Sequence, residues 1–415
     1  MVAMLLVCMT ASADCPPGDF NGDCRVDAAD LALFAHQWLT HVAPPPPGVV
    51  LPIPQPGASG PQADLNRDGH VDGLDLAVFA RYWRQTNCPI VINEVLAHAH
   101  AEASDWIELY NTSGLPVSIG GWFLSDNKND LKKYEIAAGT TIGPHEYLVF
   151  YEIIHFGNPL DPGLRKPFAL SENGDAVYLC SGDDPVFPGY VIEQSFGASE
   201  TSYPFGRYLT SLGTYDFATM SEPTPGAANA YPRLGPVVVN EIMYHPAGNA
   251  DAEYVELLNI SGGSVTLFDS LATEPWRLTD NSAVDFRFPT DPPVTLRAGE
   301  SILLVKNAAA MQPYKVLAAV RLFAWGSGRL DNGHAKLQLL KPGDVDERGT
   351  RYWIEVDRVD YSDGSHSQGF PNGMDPWPIQ ADGFGFSLSR QFPTRYGNDP
   401  NNWQATLPTP GSVND

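Results

Sequence analysis

The chain has 415 residues, enough for two to four domains. Its 49 acidic residues outnumber its 25 basic residues and give a formal net charge of −24. This charge argues against binding to nucleic-acid backbones, which needs Lys and Arg to replace counterions, and against attraction to anionic membranes. No segment after the N-terminus has the run of about 18 apolar residues that a membrane helix needs, so we expect no membrane span.

Residues 1–13 have the pattern of a secretory signal peptide. A short apolar stretch leads to Ala11-Ser12-Ala13, an A-x-A cleavage site before Asp14. No Lys or Arg precedes that stretch, so a start further upstream stays open, as does an ordinary buried N-terminal segment. The pattern predicts a protein that is secreted, extracellular or on the cell surface.

Two acidic loops of the same design follow, and each leads into a predicted helix, over 30–39 and 75–84. Oxygen side chains stand at loop positions 1, 3, 5, 9 and 12, and position 7 offers a backbone carbonyl. Ca²⁺ takes roughly 6–8 oxygen ligands, and alternate residues of a tight loop can supply them together. The candidate ligands are Asp19, Asn21, Asp23, Arg25, Asp27 and Asp30 in the first loop, and Asp64, Asn66, Asp68, His70, Asp72 and Asp75 in the second. The alternative is two solvated turns that cap helices.

This region, about 15–88, resembles a dockerin domain, the duplicated Ca²⁺-binding module of secreted bacterial assemblies. The resemblance implies two Ca²⁺ ions and docking onto a cohesin-type partner. Position 6 of such a loop favours a left-handed backbone. Gly69 supplies it in the second loop, whereas Cys24 in the first costs roughly 1–2 kcal/mol, so we expect the second site to bind more tightly. Partner choice in the family depends on positions 10 and 11, which here are Ala28-Ala29 and Gly73-Leu74 rather than hydroxyl pairs.

We expect the dockerin-like module to occupy 14–89, with a Pro-rich linker at 44–62 that is extended and polyproline-like. Cys15 and Cys88 bracket the module, so a disulfide between them is a candidate that could contribute about 4 kcal/mol. Cys24 competes for either partner, and sequence alone leaves the pairing open. Cys180 falls in a predicted strand and is expected to be a buried free thiol.

The remainder of the chain is a second duplication, of 90–229 and 236–415, joined by a short linker at 232–236. Six landmarks recur in the same order. They pair IVINEV (90–95) with VVVNEI (237–242), WIELYN (106–111) with YVELLN (254–259), GWFLSDN (121–127) with WRLTDN (276–281), YLVFY (147–151) with SILLV (301–305), DAVYLC (175–180) with AKLQLL (335–340), and PTPGAAN (223–229) with PTPGSVN (408–414).

Each copy reads as about seven short strands separated by Gly, Pro, Asn and Asp, which predicts an antiparallel β-sandwich. The second copy also has insertions at 305–331 and 361–392, the first with a helix candidate at 308–320. The landmark motifs resemble the lamin-tail domain, an immunoglobulin-like β-sandwich. The predicted fold class is therefore mainly β, with two tandem sandwiches behind a small α-helical Ca²⁺ module.

Three groups of residues have side chains that could support chemistry. His98, His100 and Glu102 alternate as metal ligands do on a strand, but a polar surface loop is the simpler interpretation. Glu94, Glu108, Glu241 and Glu256 recur at matched positions, which favours a structural hydrogen bond over acid–base catalysis. Trp377, Trp403 and Tyr396 could stack on sugars if exposed, although core packing is the commoner fate of such residues.

The sequence thus favours a secreted, bacterial, non-catalytic Ca²⁺-binding assembly or adhesion protein. Its helices would pack through Leu31, Phe34, Trp38, Leu76, Phe79 and Trp83. Its partner would be a cohesin-like protein or a domain of the same chain, and no nucleic acid is expected. One alternative is a carbohydrate-binding accessory of a polysaccharide-degrading system, with polysaccharide as its partner. Another is an enzyme whose active site lies in a cleft of the second copy's insertions.

Overall fold

The computed structural model describes residues 20, 26, 28–40, 63–65, 70–82, 89–181, 191–366, 370, 373–412 and 414. The signal segment 1–13, the Pro-rich linker 44–62 and the candidate disulfide pair Cys15 and Cys88 lie outside the described residues, as does Cys24. Cys180 ends a strand and is buried, as predicted.

Two short helices form the N-terminal module: α1 (Ala28–His36) and α2 (Gly73–Tyr82). Both begin two residues before the buried aspartate at loop position 12, so each helix starts earlier than the sequence pattern indicated. The Asp72 carboxylate accepts the backbone N–H of Leu74 at 2.8 Å, which satisfies a free amide at the start of α2. Past α1, the chain makes turns over 37–39 instead of continuing as helix.

The first copy folds as two facing antiparallel sheets and a short ribbon. One sheet has the order β11-β10-β1-β2-β7, the other the order β5-β4-β8-β9, and β3 pairs with β6. The strands are β1 (Ile90–Leu96), β2 (Trp106–Asn111), β3 (Val117–Ser118), β4 (Phe123–Ser125), β5 (Tyr134–Glu135), β6 (Thr141–Ile142), β7 (Tyr147–Tyr151), β8 (Asp175–Cys180), β9 (Val191–Phe196), β10 (Phe205–Leu209) and β11 (Tyr215–Thr219).

The second copy repeats this plan with a wider main sheet. Its sheets have the orders β21-β20-β13-β12-β24-β25 and β18-β17-β22-β23, beside the pairs β14-β19 and β15-β16. The strands are β12 (Val237–Met243), β13 (Tyr254–Asn259), β14 (Val265–Thr266), β15 (Phe268–Asp269), β16 (Glu274–Pro275), β17 (Arg277–Thr279), β18 (Asp285–Arg287), β19 (Thr295–Leu296), β20 (Ser301–Val305), β21 (Arg321–Ala324), β22 (His334–Val345), β23 (Arg351–Ser362), β24 (Ser387–Arg390) and β25 (Trp403–Thr406).

Apolar side chains from both sheets meet in one core per copy, which makes each copy a β-sandwich. In the first copy, Ile107 and Leu109 of β2 pack in the same cluster as Leu124 of β4 and Leu179 of β8. The described strands exceed the seven expected per copy, because short two-residue strands pair between the landmarks, as β3 does with β6. The predicted fold class is confirmed: mainly β, behind a small helical module.

The Asn-Glu landmark is a β-bulge in both sandwiches. The pairing of β1 with β2 shifts between Ile92 and Glu94, and that of β12 with β13 shifts between Val239 and Glu241. The extra residue on the bulged strand is therefore Asn93 in one copy and Asn240 in the other. A bulge re-aims neighbouring side chains, and here it sets an Asn beside a Glu at a buried position of each sheet.

The helix expected at 308–320 is only partly correct. A 3₁₀ helix spans Ala308–Tyr314, capped by the Asn307 side chain, which accepts the N–H of Ala309. It ends at Lys315, whose φ of 52° is left-handed, and Pro313 lacks the N–H that a longer α-helix would need. The insertion instead returns as β21, which pairs with β20 in parallel.

The two sandwiches contact each other directly. Asp216 of β11 accepts hydrogen bonds from Arg358 of β23, from the Tyr396 hydroxyl at 2.7 Å and from Asn398 Nδ2 at 2.8 Å. Burial alone would raise the pKa of Asp216, but the Arg358 charge and these hydrogen bonds outweigh it and hold the pKa below its usual value. A second ion pair joins Glu200 to Lys341. The sandwiches therefore share a buried polar interface.

Candidate functional site

The N-terminal module is held by a small apolar core between its two helices. The rings of Phe34 and Phe79 stack with centroids 5.5 Å apart, and Phe20 stacks on Phe79 at 5.9 Å. Val71 is fully buried with them. The backbone also links the copies in both directions, because Leu39 N–H donates to the carbonyl of Val71 and Val71 N–H donates to that of Thr40.

Of the expected helix-packing residues, Phe34 and Phe79 are buried as predicted. Leu31, Trp38 and Leu76 are instead exposed, although the Trp38 ring contacts that of Phe34. Trp83 lies outside the described residues. Six residues were expected to share one interface, and the prediction is wrong for three of the five whose surroundings the structure describes. Together with Leu33 and Leu74, the exposed residues form an apolar surface on the helices.

The aspartates at loop position 12 are the best-placed candidate Ca²⁺ ligands. Asp30 and Asp75 are both fully buried at the start of their helices. Asp30 Oδ1 accepts the N–H of Phe20 at 2.7 Å, and Asp75 Oδ2 accepts the N–H of Asp72 at 2.9 Å. The Asp30 carboxylate therefore ties position 2 of the first loop to α1, whereas the Asp75 carboxylate bonds to position 9 of the second loop, three residues before it.

The remaining candidate ligands divide into two groups. Asp64 and Asp72 are partly buried and His70 is exposed in the second copy. The others lie outside the described residues: Asp19, Asn21, Asp23, Arg25, Asp27, Asn66 and Asp68. Carboxylate oxygens are the ligands that Ca²⁺ prefers, and the second loop offers them at Asp64, Asp72 and Asp75.

Loop positions 10 and 11 are open to a partner in both copies. Ala28 and Ala29 are exposed at the start of α1, and Gly73 and Leu74 are exposed at the start of α2. Because the two copies present these positions as small or apolar groups, they offer contact area rather than hydrogen bonds. This surface adjoins the exposed apolar residues of the helices.

The recurring glutamates form what we call the carboxylate latch of each sandwich. In the first latch, Glu94 accepts the N–H and hydroxyl of Thr224 at 3.2 and 2.9 Å, and Glu108 accepts the N–H of Gly226 at 2.5 Å. Asn93 completes it by donating to Glu108 at 2.8 Å and to Asn229 at 2.6 Å. The closing Pro-Thr-Pro-Gly segment is therefore pinned to the Asn-Glu bulge.

The second latch has the same bonds. Thr409 N–H donates to Glu241 at 2.9 Å and Gly411 N–H donates to Glu256 at 2.6 Å. Asn240 Nδ2 donates to Glu256 at 2.7 Å. Burial raises the pKa of all four glutamates, to about 7 for Glu94 and Glu256. All four are fully buried and bonded to the chain itself, which supports the structural interpretation over acid–base catalysis.

Sequence reasoning missed a second recurring contact, made by the Asn that ends the second strand of each copy. Asn111 is fully buried and its Nδ2 contacts the carbonyls of Leu115, Ile142 and Gly143 at 2.7 to 3.1 Å. Asn259 makes the equivalent three contacts at 2.8 to 3.0 Å. The signal was present, since both landmark strings end in Asn.

A cleft of about 760 Å³ opens between the sandwiches, and part of the second copy's insertion lines it. Ser362 and His366 lie there with a nearby carboxylate, yet they do not form a nucleophile–base relay. The Ser362 hydroxyl donates to Asp375 at 2.5 Å, and His366 Nδ1 lies 3.1 Å from Asp363 and 3.3 Å from Ser362. The same nitrogen, Nδ1, therefore faces both the Ser362 hydroxyl and the Asp363 carboxylate. A catalytic triad instead needs the hydroxyl at one ring nitrogen and the carboxylate at the other.

The aromatic residues suggested for sugar stacking are buried. Trp377 is 3 % exposed, Trp403 is 4 % exposed and Tyr396 is 7 % exposed. The two tryptophans pack in the core of the second sandwich, whereas Tyr396 packs against Tyr208 of the first sandwich and donates to Asp216. Likewise, His100 and Glu102 are exposed and do not join His98 in a cluster; His98 faces Glu172 instead.

Family comparisons agree with this architecture. The model for the dockerin type I domain matches residues 17–84. The model for the Lamin Tail Domain matches residues 84–187 and 232–363, together more than half of the chain. No curated protein matches the chain.

The two β-sandwiches extend beyond the segments that the Lamin Tail Domain model matches. Strands β9 to β11 complete the sheets of the first copy, and β24 and β25 complete the main sheet of the second. Neither domain type is catalytic. Within the described residues, no helix is long and apolar enough to cross a bilayer. The chain belongs to the lamin tail domain family, and it carries that domain twice behind a dockerin type I domain.

Proposed function

We propose that this is a secreted, bacterial, non-catalytic protein that docks onto a cohesin-type partner through its Ca²⁺-loaded N-terminal module. Residues 14–89 would form that module, and the sandwiches at 90–229 and 236–415 would act as spacers or adhesive modules. The observation that carries the proposal is the pairing of buried aspartates at loop position 12 with exposed residues at positions 10 and 11, in both copies.

Ca²⁺ would couple folding to docking. A loop that is unformed in the unfolded chain turns ion-binding energy into folding energy, so two bound ions would fix the start of α1 and α2. The fixed helices would then present their exposed apolar surface: Leu31, Leu33, Trp38, Leu74 and Leu76. A disulfide between Cys15 and Cys88 would clasp the ends of the module in an oxidising compartment.

The test is binding of the whole chain to a panel of immobilised cohesin domains, in millimolar Ca²⁺ and in excess chelator. We expect Ca²⁺-dependent binding that Leu74→Glu abolishes and Leu115→Glu leaves unchanged. Leu115 is a matched control because it is an exposed leucine of the first sandwich. Binding that persists in chelator would contradict the proposal. If the module instead docks onto a domain of its own chain, the cohesin panel would not capture the protein. The overall dimensions of the protein would then change when Ca²⁺ is added.

The carbohydrate-binding alternative keeps one candidate surface. Tyr215 is 55 % exposed and lines the cleft between the sandwiches, where hydroxyls of Thr210, Thr214 and Ser362 also lie. An exposed ring beside hydroxyl groups can stack on a sugar and bond to it. Retention of the parent protein on insoluble polysaccharide without Ca²⁺, lost in Tyr215→Ala, would support this function. Equal retention of the parent and of Tyr215→Ala would count against the cleft as the binding site.

A further inference from the structure

His98 follows β1 directly, and its ring has one nitrogen held and one nitrogen turned to acidic groups. Nδ1 lies 3.2 Å from the carbonyl oxygen of Ser199, which can only accept, so Nδ1 carries the proton. In the neutral ring, Nε2 then has a free electron pair. It lies 3.0 Å from the Thr201 hydroxyl and 3.4 Å from Glu172 Oε2. A backbone carbonyl that fixes one ring nitrogen is the arrangement that orients histidine as a metal ligand.

The second sandwich supplies a further carboxylate at the same place. Ligand atoms of His98, Glu172 and Asp344 all lie within 4.8 Å of one another. Asp105 lines the adjoining cavity of about 300 Å³ with His98 and Glu172. Among the described residues, no Lys or Arg forms an ion pair with any of these three carboxylates.

We propose that His98, Glu172 and Asp344 bind one Zn²⁺ ion, which bridges the two sandwiches. The 3.4 Å between His98 Nε2 and Glu172 Oε2 equals the edge of a tetrahedron with metal–ligand bonds of about 2.1 Å. One imidazole with two carboxylates is a nitrogen–oxygen set that suits Zn²⁺, whereas Ca²⁺ takes oxygen ligands. The cavity beside the cluster has room for water as a fourth ligand.

The second sandwich contains a matched histidine that lacks this environment. His245 follows β12 as His98 follows β1, and its Nδ1 lies 2.5 Å from Asp382. Within the part of the chain that the structure describes, it belongs to no group of three metal-type ligands. The other such group, Asp363, His366 and Asp375, already bonds internally, since His366 N–H donates to Asp375 at 3.0 Å. These two histidines are therefore natural controls.

The test is calorimetric titration of Zn²⁺ into the whole chain, saturated with Ca²⁺ and with its thiols alkylated. We expect one Zn²⁺ per chain, with affinity at least tenfold weaker in both His98→Gln and Asp344→Asn. Matching circular dichroism and melting curves verify that each variant folds. His245→Gln should bind as the parent does.

Three results would overturn the proposal. They are absence of Zn²⁺ binding, parental affinity in His98→Gln, and loss of binding in His366→Gln instead. Parental affinity in Asp344→Asn combined with weak binding in His98→Gln would also reject a bridging ion, because the site would then belong to one sandwich alone.

Discussion

The buried carboxylate latch makes the stability of the first sandwich depend on pH in an unusual direction. Glu94 is fully buried, and burial, its largest influence, raises its pKa from an ordinary 4.5 to about 7. A folded-state pKa above the unfolded value means that the folded chain holds the proton more tightly. The contribution of Glu94 to the stability of the first sandwich is therefore fully present below pH 4.5 and is lost as pH rises through 7.

The magnitude follows from the same shift. A difference of about 2.5 pKa units at about 1.4 kcal/mol each gives roughly 3 kcal/mol between pH 4.5 and pH 8. Glu94→Gln keeps a carbonyl oxygen for the Thr224 donors but does not titrate. The substitution also has a cost that does not depend on pH. The difference in unfolding free energy between parent and variant should therefore change by roughly 3 kcal/mol between pH 4.5 and pH 8, in favour of the variant at high pH.

The assay is urea unfolding of the whole chain at several pH values, with pulsed hydrogen exchange to follow each sandwich separately. Peptides from β1 and β2 report on the first sandwich, and peptides from β12 and β13 are an internal reference. Glu102→Gln is the matched control, because Glu102 is an exposed residue of the same sandwich. A parent–variant difference that changes by less than about 1 kcal/mol would refute the claim that Glu94 is a desolvated acid.

Three further predictions concern the other sites. Calcium calorimetry of the whole chain should show two unequal sites, the tighter one lost in Asp64→Ala, with both weakened in acid because carboxylates must be ionised to bind; equal sites would contradict the Gly69–Cys24 argument. Asn111→Ala should destabilise the first sandwich by about 3 kcal/mol in urea unfolding, because three carbonyls, one of them in a buried contact, lose their donor, while Ser113→Ala should have a smaller effect. Asp216→Asn should loosen the inter-sandwich contact and increase the radius of gyration in small-angle scattering; unchanged scattering would mean that other contacts suffice.

The duplications were predictable because each repeated residue serves a local geometric need. The spacing of acidic side chains indicated the loops, and α1 and α2 follow them as expected. The matched glutamates indicated a structural role. Their partners could not be deduced, because Thr224 lies 130 residues beyond Glu94 in the chain, and no local pattern encodes such a long-range pairing. Only the fold brings the closing Pro-Thr-Pro-Gly segment to the bulge.

The sequence left the exposure of Trp377 and Trp403 open, with core packing as the commoner fate. Neither tryptophan has an alternating pattern that would assign it a face, and their rings lie 6.3 Å apart in the core of the second sandwich. Leu31 and Leu76 are exposed for a different reason, which is the length of their helices. Their helices are only 9 and 10 residues long, so few apolar positions on each helix can reach the other. In both cases tertiary packing, not composition, sets the exposure.

The composition of the linker between the sandwiches suggests a flexible segment, because residues 232–236 contain Pro and Gly. Residues just before the linker and within it nevertheless make specific contacts. Asn229 is bonded into the first latch, the Tyr231 hydroxyl accepts the N–H of Tyr396 at 2.8 Å, and Arg233 pairs with Glu200 at 2.6 Å. Because Glu200 also binds Lys341, latch, linker and interface form one connected network. A change that weakens the first latch should therefore also loosen the contact between the sandwiches.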